Sequence, residues 1–328
     1  MEGPILVIGG AGYIGSHVCK ALATSGAVPI VYDNLSSGHQ WAIKWGPFFE
    51  GDILDTEQLE KAILTYKPRA VIHLASYIDV RESKKDPFKY YENNLVGTLA
   101  LLQVLCKHKI KKLIFSSSAA VYGKPLYTPI DEAHPKNPIN PYGKIKWAIE
   151  NLLEDFYHSY GLSSVSLRYF NAAGADSEGE IGEAHTPETH LIPRILLTAR
   201  QKQHELLIFG VDFPTQDGTA VRDFVHVTDL ADAHVKALDY LDHNTEPLAL
   251  NLGTGKGFSI FEMIATASQI TGTKIPYKIE KANAEDPPIL IANAAKAQIL
   301  LSWQPTYSTL ENILSSAWSW HQFWEHDA

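Results

Sequence analysis

A tyrosine and a lysine four residues apart, Tyr142 and Lys146, are the side chains in this sequence best suited to acid–base chemistry. On a helix this spacing puts both side chains on one face, about one turn apart. A free phenol has a pKa of about 10 and is a poor base at neutral pH, but a fixed ammonium beside it favours the phenolate. The pair is therefore a candidate general base for a hydroxyl. The same spacing also occurs on ordinary solvent-exposed helix faces.

A glycine-rich loop near the N-terminus indicates a nucleotide cofactor. The apolar run Ile5–Ile8 leads into Gly9-Gly10-Ala11-Gly12-Tyr13-Ile14-Gly15, which is followed by a helical pattern and a strand that ends at Asp33. This order is that of a dinucleotide-binding fingerprint, in which glycines let the backbone approach a pyrophosphate at a helix N-terminus. Asp33 would accept hydrogen bonds from the adenosine ribose and repel a 2′-phosphate, so the sequence predicts NAD rather than NADP.

The elements that position these groups form a repeating pattern. Apolar strand-like runs alternate with helical patterns throughout the first half, which predicts an α/β protein with a Rossmann-like, doubly wound parallel sheet. A helix is predicted over 88–108, and another begins at Pro141 and carries the tyrosine and the lysine. The glycine loop, the serines after Phe115 and the start of the Pro141 helix should meet at the carboxyl edge of the sheet. For the 88–108 helix the spacing predicts one apolar stripe, made of Tyr91, Leu95, Leu99, Leu102 and Leu105.

Composition excludes several classes of function. The chain has 328 residues, 45% apolar and 20% charged, with a net charge of −9, which argues against a nucleic-acid or membrane-surface partner. We expect no signal peptide, no membrane span and no metal site. Cys19 and Cys106 fall in apolar helical patterns and are interpreted as free thiols, which fits a reducing cytoplasm.

After Asn171 the alternation loosens, which predicts a smaller C-terminal α/β part that covers the cofactor edge. The predicted helix 229–241 and strand 248–252 are expected to return to the first domain. We therefore assign residues 1–171 plus about 224–252 to a cofactor-binding domain. Residues of about 172–223 plus 253–328 are assigned to a substrate-binding domain.

The motifs together resemble a known family. GGAGYIG, the Asn93-Asn94-Leu95-Val96-Gly97-Thr98 segment, SSSAAVYG and PYGKIK are similar to the extended short-chain dehydrogenase/reductases. LRYFNAAG, HLIP, DGTAVRDFVHV and NLGTG, which follow later in the chain, resemble the UDP-glucose 4-epimerases within that family. The resemblance extends from about Ile5 to Trp324.

This resemblance implies an enzyme that keeps NAD bound and interconverts UDP-galactose and UDP-glucose. Tyr142, as phenolate, would take the proton from the sugar 4-hydroxyl while a hydride passes to NAD. Lys146 would lower the tyrosine pKa and bind the nicotinamide ribose, and Ser118 would hydrogen-bond the same sugar oxygen. The 4-keto sugar would then turn its other face toward the cofactor and receive the hydride back.

The resemblance also implies the remaining site residues and the assembly. Expected cofactor contacts, besides Tyr142 and Lys146, are Gly9, Gly12, Tyr13, Ile14, Gly15, Asp33, Asn34, Asp52, Ile53, Leu74, Ala75, Asn94, Ser116 and Tyr169. Expected UDP-sugar contacts are Ser118, Tyr142, Phe170, Asn171, His190, Leu191, Phe209, Arg222 and Asp286. A cytoplasmic homodimer that pairs through the 88–108 and 142–160 helices is expected.

Some positions depart from the family pattern. Asn283 stands where relatives commonly have an arginine near the diphosphate. Either Lys281 substitutes for that arginine, or binding of the diphosphate depends more on Arg222. On spacing alone, an internal Arg222–Asp223 ion pair is also possible. The loop over 76–83 lacks the lysine that some relatives place against the cofactor phosphates.

Other activities were weighed against the epimerase. A 4,6-dehydratase typically has Asp-Glu after its serine or threonine, where this chain has Ala119 and Ala120. A non-catalytic NAD sensor would have a degraded catalytic set, whereas Ser118, Tyr142 and Lys146 are all present. Leu290 is intermediate in bulk at the position that governs an N-acetyl group, which leaves UDP-N-acetylhexosamines open.

Overall fold

The computed structural model describes residues 3–282 and 286–323, and its elements follow the predicted alternation. The strands are β1 Pro4–Ile8, β2 Val28–Asp33, β3 Phe48–Glu50, β4 Ala70–His73, β5 Lys112–Ser118, β6 Ser163–Tyr169, β7 Asn171–Ala173, β8 Leu206–Phe209, β9 Val221–Arg222, β10 Phe224–His226, β11 Leu248–Leu252, β12 Phe258–Ser259, β13 Tyr277–Glu280 and β14 Ile289–Leu290. The helices are α1 Tyr13–Thr24, α2 Thr56–Tyr66, α3 Val80–Lys85, α4 Pro87–Tyr90, α5 Gly97–Lys107, α6 Pro141–Tyr160, α7 Leu191–Ala199, α8 Val227–His243, α9 Ile260–Thr271, α10 Ala295–Leu300 and α11 Leu310–Phe323. Short 3-10 turns cover Gln40–Ala42 and Ala119–Val121.

Seven strands form one parallel sheet in the order β11-β6-β5-β4-β1-β2-β3, which confirms the Rossmann-like, doubly wound fold. The strand order reverses between β1 and β4, and such switch points open a crevice beyond the carboxyl ends of the strands. The backbone N–H groups of Leu74 and Ala75 both donate to the Ile8 carbonyl, at 2.8 and 3.0 Å, so β1 and β4 stay together to their last residues. The crevice therefore opens directly above β1 and β4.

Both faces of the sheet are covered by helices, so β1, the first residues of β4 and the middle of β5 are apolar, whereas β5 ends in serines. Helices α1 and α8 pack on one face, around Val18, Leu22 and Leu238. Helices α2, α5 and α6 pack on the other face, where Leu102 and Ile149 are fully buried. Strand β11 pairs with β6 in parallel register, so the 248–252 strand is part of the same sheet.

The helical region over 87–107 differs from the predicted single stripe. It is α-helical over α4, a π-helix over Tyr91–Val96 and α-helical again over α5. A π turn rotates the residues that follow it relative to an α-helical register. Leu102 and Leu105 are buried, whereas Tyr91 and Leu99 are exposed, so the five residues of the predicted apolar stripe do not share one buried face.

The C-terminal half adds three small sheets and a separate apolar core. Strand β7 pairs with β10, β8 pairs with β13, and β9 lies between β12 and β14. Helices α7, α9 and α11 surround this core, in which Ile195, Met263 and Ile313 are buried. None of the described helices combines the length and the apolar character needed to cross a bilayer.

Candidate active site

A cleft of about 1780 Å³ lies beyond the carboxyl edge of the sheet and extends to the C-terminal small sheets. Residues from the glycine loop, from the ends of β2, β4, β5 and β6, and from the C-terminal part line it. The predicted site residues that line the cleft are Gly9, Gly12, Tyr13, Ile14, Gly15, Asp33, Asn34, Ile53, Leu74, Ala75, Ser116, Ser118, Tyr142, Tyr169, Phe170, Asn171, His190, Leu191, Phe209, Arg222 and Asp286. One continuous cleft thus joins the predicted cofactor and substrate residues.

The glycine loop forms a bare backbone cradle at the N-terminus of α1. A Cβ on Gly15 would lie 2.0 Å from the Gly9 carbonyl oxygen, so the close packing of loop and helix requires glycine there. A Cβ on Gly12 would meet nothing nearer than 3.4 Å, because this side of the loop faces the cleft. No described side chain caps the N-terminus of α1, which leaves its first N–H groups for an anion. The cradle fits a dinucleotide pyrophosphate.

Asp33 lies at the end of β2, at the edge of this cradle. Its carboxylate accepts hydrogen bonds from the backbone N–H groups of Ala11, at 3.0 Å, and Leu35, at 2.9 Å. Burial raises the pKa of Asp33, and these two hydrogen bonds oppose the rise. The two backbone bonds hold the carboxylate in one orientation, and its remaining lone pairs can accept hydroxyl groups from a ribose.

The catalytic candidates meet where β5 ends against the start of α6. Asn140 caps α6 by accepting from the Gly143 N–H at 2.8 Å, and Pro141 occupies the first turn. A Cβ on Gly143 would lie 2.4 Å from the Ala120 carbonyl oxygen, so glycine lets α6 approach the turn that follows Ser118. Ser118 accepts from the Ala120 N–H at 3.1 Å, and its hydroxyl also hydrogen-bonds with Tyr142.

Lys146 is buried below Tyr142, and its ammonium donates to the Ser116 carbonyl at 2.8 Å. Its nitrogen lies 5.5 Å from the centre of the Tyr142 ring. Lys146 itself is not among the lining residues of the cleft, whereas Tyr142 is. The four-residue spacing therefore places both side chains on one helix face, as the sequence predicts.

The charge state of the pair differs from the expectation that Lys146 lowers the tyrosine pKa. Burial raises the pKa of Tyr142 to about 12, although hydrogen bonding with Ser118 lowers it. Burial lowers the pKa of Lys146 to about 7, although Glu150 raises it. The ammonium thus loses its proton before the phenol ionises, so in this structure burial outweighs the attraction of the lysine.

A buried polar network supports the end of β5, and the sequence analysis missed it. Arg168 donates through Nε to Glu150 at 3.0 Å and through a terminal nitrogen to the Tyr122 hydroxyl at 2.8 Å. Glu150 also accepts from the Ser117 hydroxyl, and Tyr122 donates to Asn251 at 2.6 Å. The network ties β5, β6, β11 and α6 together directly beneath the catalytic candidates.

On the substrate side of the cleft, Arg222 lies close to Asp286. Burial lowers the pKa of Arg222, and the negative charge of Asp286 raises it. Arg222 does not pair with Asp223, because that carboxylate accepts from Thr254, Gly255 and Ala292 instead. The guanidinium donates to the Val221 carbonyl at 2.9 Å and faces the cleft. The alternative of an internal Arg222–Asp223 ion pair is therefore wrong.

Four other residues considered from the sequence do not themselves line the cleft or lie outside the described residues. Asp52 lies beyond the end of β3 and accepts from Asn34 at 2.8 Å. Asn94 is buried and braces the backbone of Tyr77, with bonds of 2.9 and 3.0 Å. Asn283 falls outside the described residues, and Lys281 is exposed and not among the described lining residues.

The cleft also contains residues that the sequence analysis did not select. Arg81 at the start of α3 lies with its guanidinium 4.6 Å from the centre of the Phe209 ring, and it lines the cleft. Lys84, Lys85 and Lys89 line the same wall. The run of basic residues in this segment is the sequence signal that could have identified this wall.

Comparison with known proteins agrees with this geometry. Residues 5–253 match the NAD dependent epimerase/dehydratase family. A UDP-glucose 4-epimerase of Rhizobium meliloti (strain 1021) is 50% identical over 319 residues, which cover 97% of this chain and 96% of the relative. The crystal structure of UDP-glucose 4-epimerase from Brucella ovis in complex with NAD superposes with a TM-score of 0.95 at 48% identity, covering 97% of this chain and 98% of that one.

A UDP-glucose 4-epimerase from Bifidobacterium longum, solved in complex with NAD⁺ and UDP, has a TM-score of 0.93 at 36% identity. The alignment covers 97% of this chain and 98% of that structure. With the family match spanning most of the chain, the resemblance noted from the motifs is confirmed. This chain belongs to the NAD dependent epimerase/dehydratase family.

Proposed function

We propose that this chain interconverts UDP-glucose and UDP-galactose by NAD-dependent epimerisation at the sugar 4-position. The observation that carries the proposal is that Ser118 and Tyr142 line one cleft between the glycine cradle and Arg222, with Lys146 buried 5.5 Å from the centre of the Tyr142 ring. Relatives over nearly the full length are UDP-glucose 4-epimerases, and solved neighbours hold NAD, or NAD⁺ with UDP.

The residues of the cradle fit NAD. The N–H groups at the start of α1 and the glycines before it would hold the pyrophosphate, and Asp33 would hold the adenosine ribose. Lys146 and Tyr142 would contact the nicotinamide ribose. When bound, NAD supplies a cationic ring that accepts a hydride from sugar C4 and returns it.

Tyr142 is the proposed acid–base residue. Its oxygen accepts the proton of the sugar 4-hydroxyl in one half of the reaction and gives it back in the other. Burial raises the pKa of the phenol to about 12, so the phenol is protonated at neutral pH. Positive charge from the cofactor and from Lys146 is therefore needed to prepare the base. Ser118 donates to the same sugar oxygen and keeps it oriented.

The substrate side is built to hold the nucleotide more firmly than the sugar. Arg222 offers a forked donor that suits a diphosphate, and Phe209 offers a ring face for uracil. Near Ser118 the lining is apolar: Phe170 and Leu290 pack against the same small cluster as Val121. A 4-keto sugar held mainly through its diphosphate can turn over and present its other face.

The alternative activities are less well supported. Ala119 and Ala120 occupy the 3-10 turn after Ser118, so neither position carries the acid or base that a dehydratase needs. A pure NAD sensor has no use for a serine, a tyrosine and a lysine assembled at the end of β5. Acceptance of UDP-N-acetylhexosamines is tested by the assay below.

The test is to incubate the purified protein with UDP-galactose, without added reductant, and follow UDP-glucose by NMR. Product should accumulate, and Tyr142→Phe should abolish turnover while the extracted NAD content stays close to that of the unmodified protein. Absence of product from protein with confirmed bound NAD would refute the function. Full activity of Tyr142→Phe would refute the assignment of the base. UDP-N-acetylglucosamine in the same assay tests the wider substrate range.

We also propose a domain organisation and an oligomeric state. Residues 1–171 with about 224–252 bind NAD, and about 172–223 with 253–328 bind the UDP-sugar.

A homodimer pairs through the 88–108 and 142–160 helices. Exposed apolar side chains on the first of these helices support it, with Phe88 72% and Leu99 45% exposed. Leu99→Glu should halve the mass measured by light scattering. A monomeric unmodified protein would refute the dimer.

A cytoplasmic location is proposed as well. Cys19 and Cys106 are both free, and a reducing compartment keeps such thiols reduced. Cell fractionation with an antibody against the chain tests this location, and recovery in the secreted or membrane fraction would contradict it.

A further inference from the structure

Four side chains in the loop before α7 converge on one point. They are Glu183, His185, Glu188 and His190, and their nearest ligand atoms all lie within 4.8 Å of one another. The Nδ1 atoms of His185 and His190 lie 3.1 and 2.8 Å from Glu183 Oε1. The Nδ1 of His190 lies 3.1 Å from Glu188 Oε1, and that of His185 lies 3.9 Å from Glu188 Oε2.

We propose that this cluster, hereafter the His–Glu cluster, binds one divalent transition-metal ion of the Zn²⁺ class. Two imidazole nitrogens and two carboxylate oxygens are a common ligand set for tetrahedral Zn²⁺. At metal–ligand distances of about 2.0–2.2 Å, the ligand atoms of a tetrahedron are roughly 3.3–3.5 Å apart. The four separations of 2.8–3.9 Å bracket this value.

The charge balance of the His–Glu cluster also calls for a cation. The side chains of Glu183 and Glu188 are only 6% and 9% exposed, and neither has a lysine or arginine partner in the described part of the chain. Two carboxylates this deeply buried require a compensating positive charge.

A second acidic group in the same loop shows the contrast. Asp176, Glu178 and Glu180 surround the ammonium of Lys20, which lies 2.8 Å from both Asp176 and Glu180. That group already holds a cation supplied by the chain. The His–Glu cluster has four converging ligands and no lysine or arginine partner among residues 3–282 and 286–323.

The backbone of the loop holds the ligands in place before any ion arrives. Trp320 donates through its indole nitrogen to the Glu183 carbonyl at 3.0 Å, and His39 lies 2.6 Å from the Ala184 carbonyl. The His190 N–H donates to Glu188 at 2.8 Å. A bound ion would therefore join both ends of the loop over 183–190, which lines the cleft beside Tyr13.

The sequence analysis expected no metal site because it searched for cysteine and histidine spacings. The chain in fact contains Glu-x-His-x-x-Glu-x-His over 183–190. The loop conformation brings these four residues together, so the spacing alone does not identify them.

The experiment uses the full-length, tag-free protein with its NAD bound, stripped by dipicolinate and desalted. Titration with Zn²⁺ should give one ion per chain, and Co²⁺ should give the intense visible absorption of a four-coordinate site. His185→Ala and Glu188→Gln should weaken Zn²⁺ binding by at least ~10-fold, the lower end of what even indirect partners of a metal ligand contribute. Zn²⁺ should raise the melting temperature of the unmodified protein and not that of the variants.

Matched controls are His204→Ala and Glu154→Gln, which change exposed residues outside the cluster and should bind Zn²⁺ as the unmodified protein does. Glu188→Gln keeps the size of the side chain, and far-UV circular dichroism checks its fold. Failure of the unmodified protein to take up Zn²⁺ or Co²⁺ would overturn the proposal and assign the compensating charge to a proton. Zn²⁺ binding of equal strength in Glu188→Gln would overturn it as well.

Discussion

Replacement of Lys146 by methionine tests the catalytic pair most directly. The Lys146 nitrogen lies 5.5 Å from the centre of the Tyr142 ring; the lysine is buried, and the tyrosine is partly buried. At an effective dielectric constant of about 20, a positive charge at that distance stabilises the phenolate by roughly 3 kcal/mol. This energy corresponds to about two pKa units, so Lys146→Met should lower kcat by roughly 100-fold.

The loss should depend on pH, because the lysine itself titrates. The pKa of Lys146 is lowered by burial to about 7, so its charge is present below that pH and is lost as the pH rises through it. The ratio of kcat between the unmodified protein and Lys146→Met should therefore be largest at about pH 6 and should fall toward about pH 9.

The assay is epimerisation of UDP-galactose at saturating substrate, with rates normalised to the NAD extracted from each sample. This normalisation separates a loss of base strength from a loss of cofactor. Lys144→Met is the matched control, since Lys144 is exposed on the same helix and should leave kcat unchanged. A ratio that stays constant across the pH range, or a loss smaller than about 5-fold, would refute the electrostatic role.

Other substitutions test the supporting structure. Glu150→Ala should lower the free energy of unfolding in urea by about 3–5 kcal/mol, because it leaves the buried Arg168 charge without its main partner. The double variant Glu150→Ala/Arg168→Met should recover much of this lost free energy. Arg81→Ala should raise KM for UDP-galactose by roughly 10-fold with little change in kcat, if its guanidinium helps to hold the nucleotide; an unchanged KM would contradict this. Gly15→Ala should reduce the NAD retained after gel filtration by at least about 10-fold, since its Cβ would overlap the Gly9 carbonyl oxygen; retention equal to that of the unmodified protein would show that the loop adapts.

Much of the cofactor side could be predicted from the sequence because its signals are local. The order of strand, glycine loop, helix and Asp33 is contiguous, and each part has its own physical requirement. The spacing of Tyr142 and Lys146 also translates directly into one helix face. Because all strands of a parallel sheet end at the same edge, these parts can meet only at the carboxyl edge. The position of the cleft could therefore be predicted from the sequence pattern.

The features that were missed depend on packing between distant segments. The pKa values of Tyr142 and Lys146 are set mainly by burial, which the spacing of two residues does not report. The partnership of Glu150 with Arg168 crosses from α6 to β6, and the contact of Arg81 with Phe209 crosses the cleft. Neither contact has a sequence signature.

The buried network also fixes the position of Tyr142 and Lys146, the proposed catalytic pair. Glu150 accepts from Arg168 and from Ser117, and it also raises the pKa of Lys146 against the effect of burial. One carboxylate therefore stabilises the end of β5 and favours the charged form of the lysine beneath the phenol. Arg168 pairs with the same Glu150 carboxylate, so the geometry of this ion pair affects how strongly Glu150 raises the pKa of Lys146. The position of the catalytic groups and their charge state are thus set by the same contacts between α6, β5 and β6.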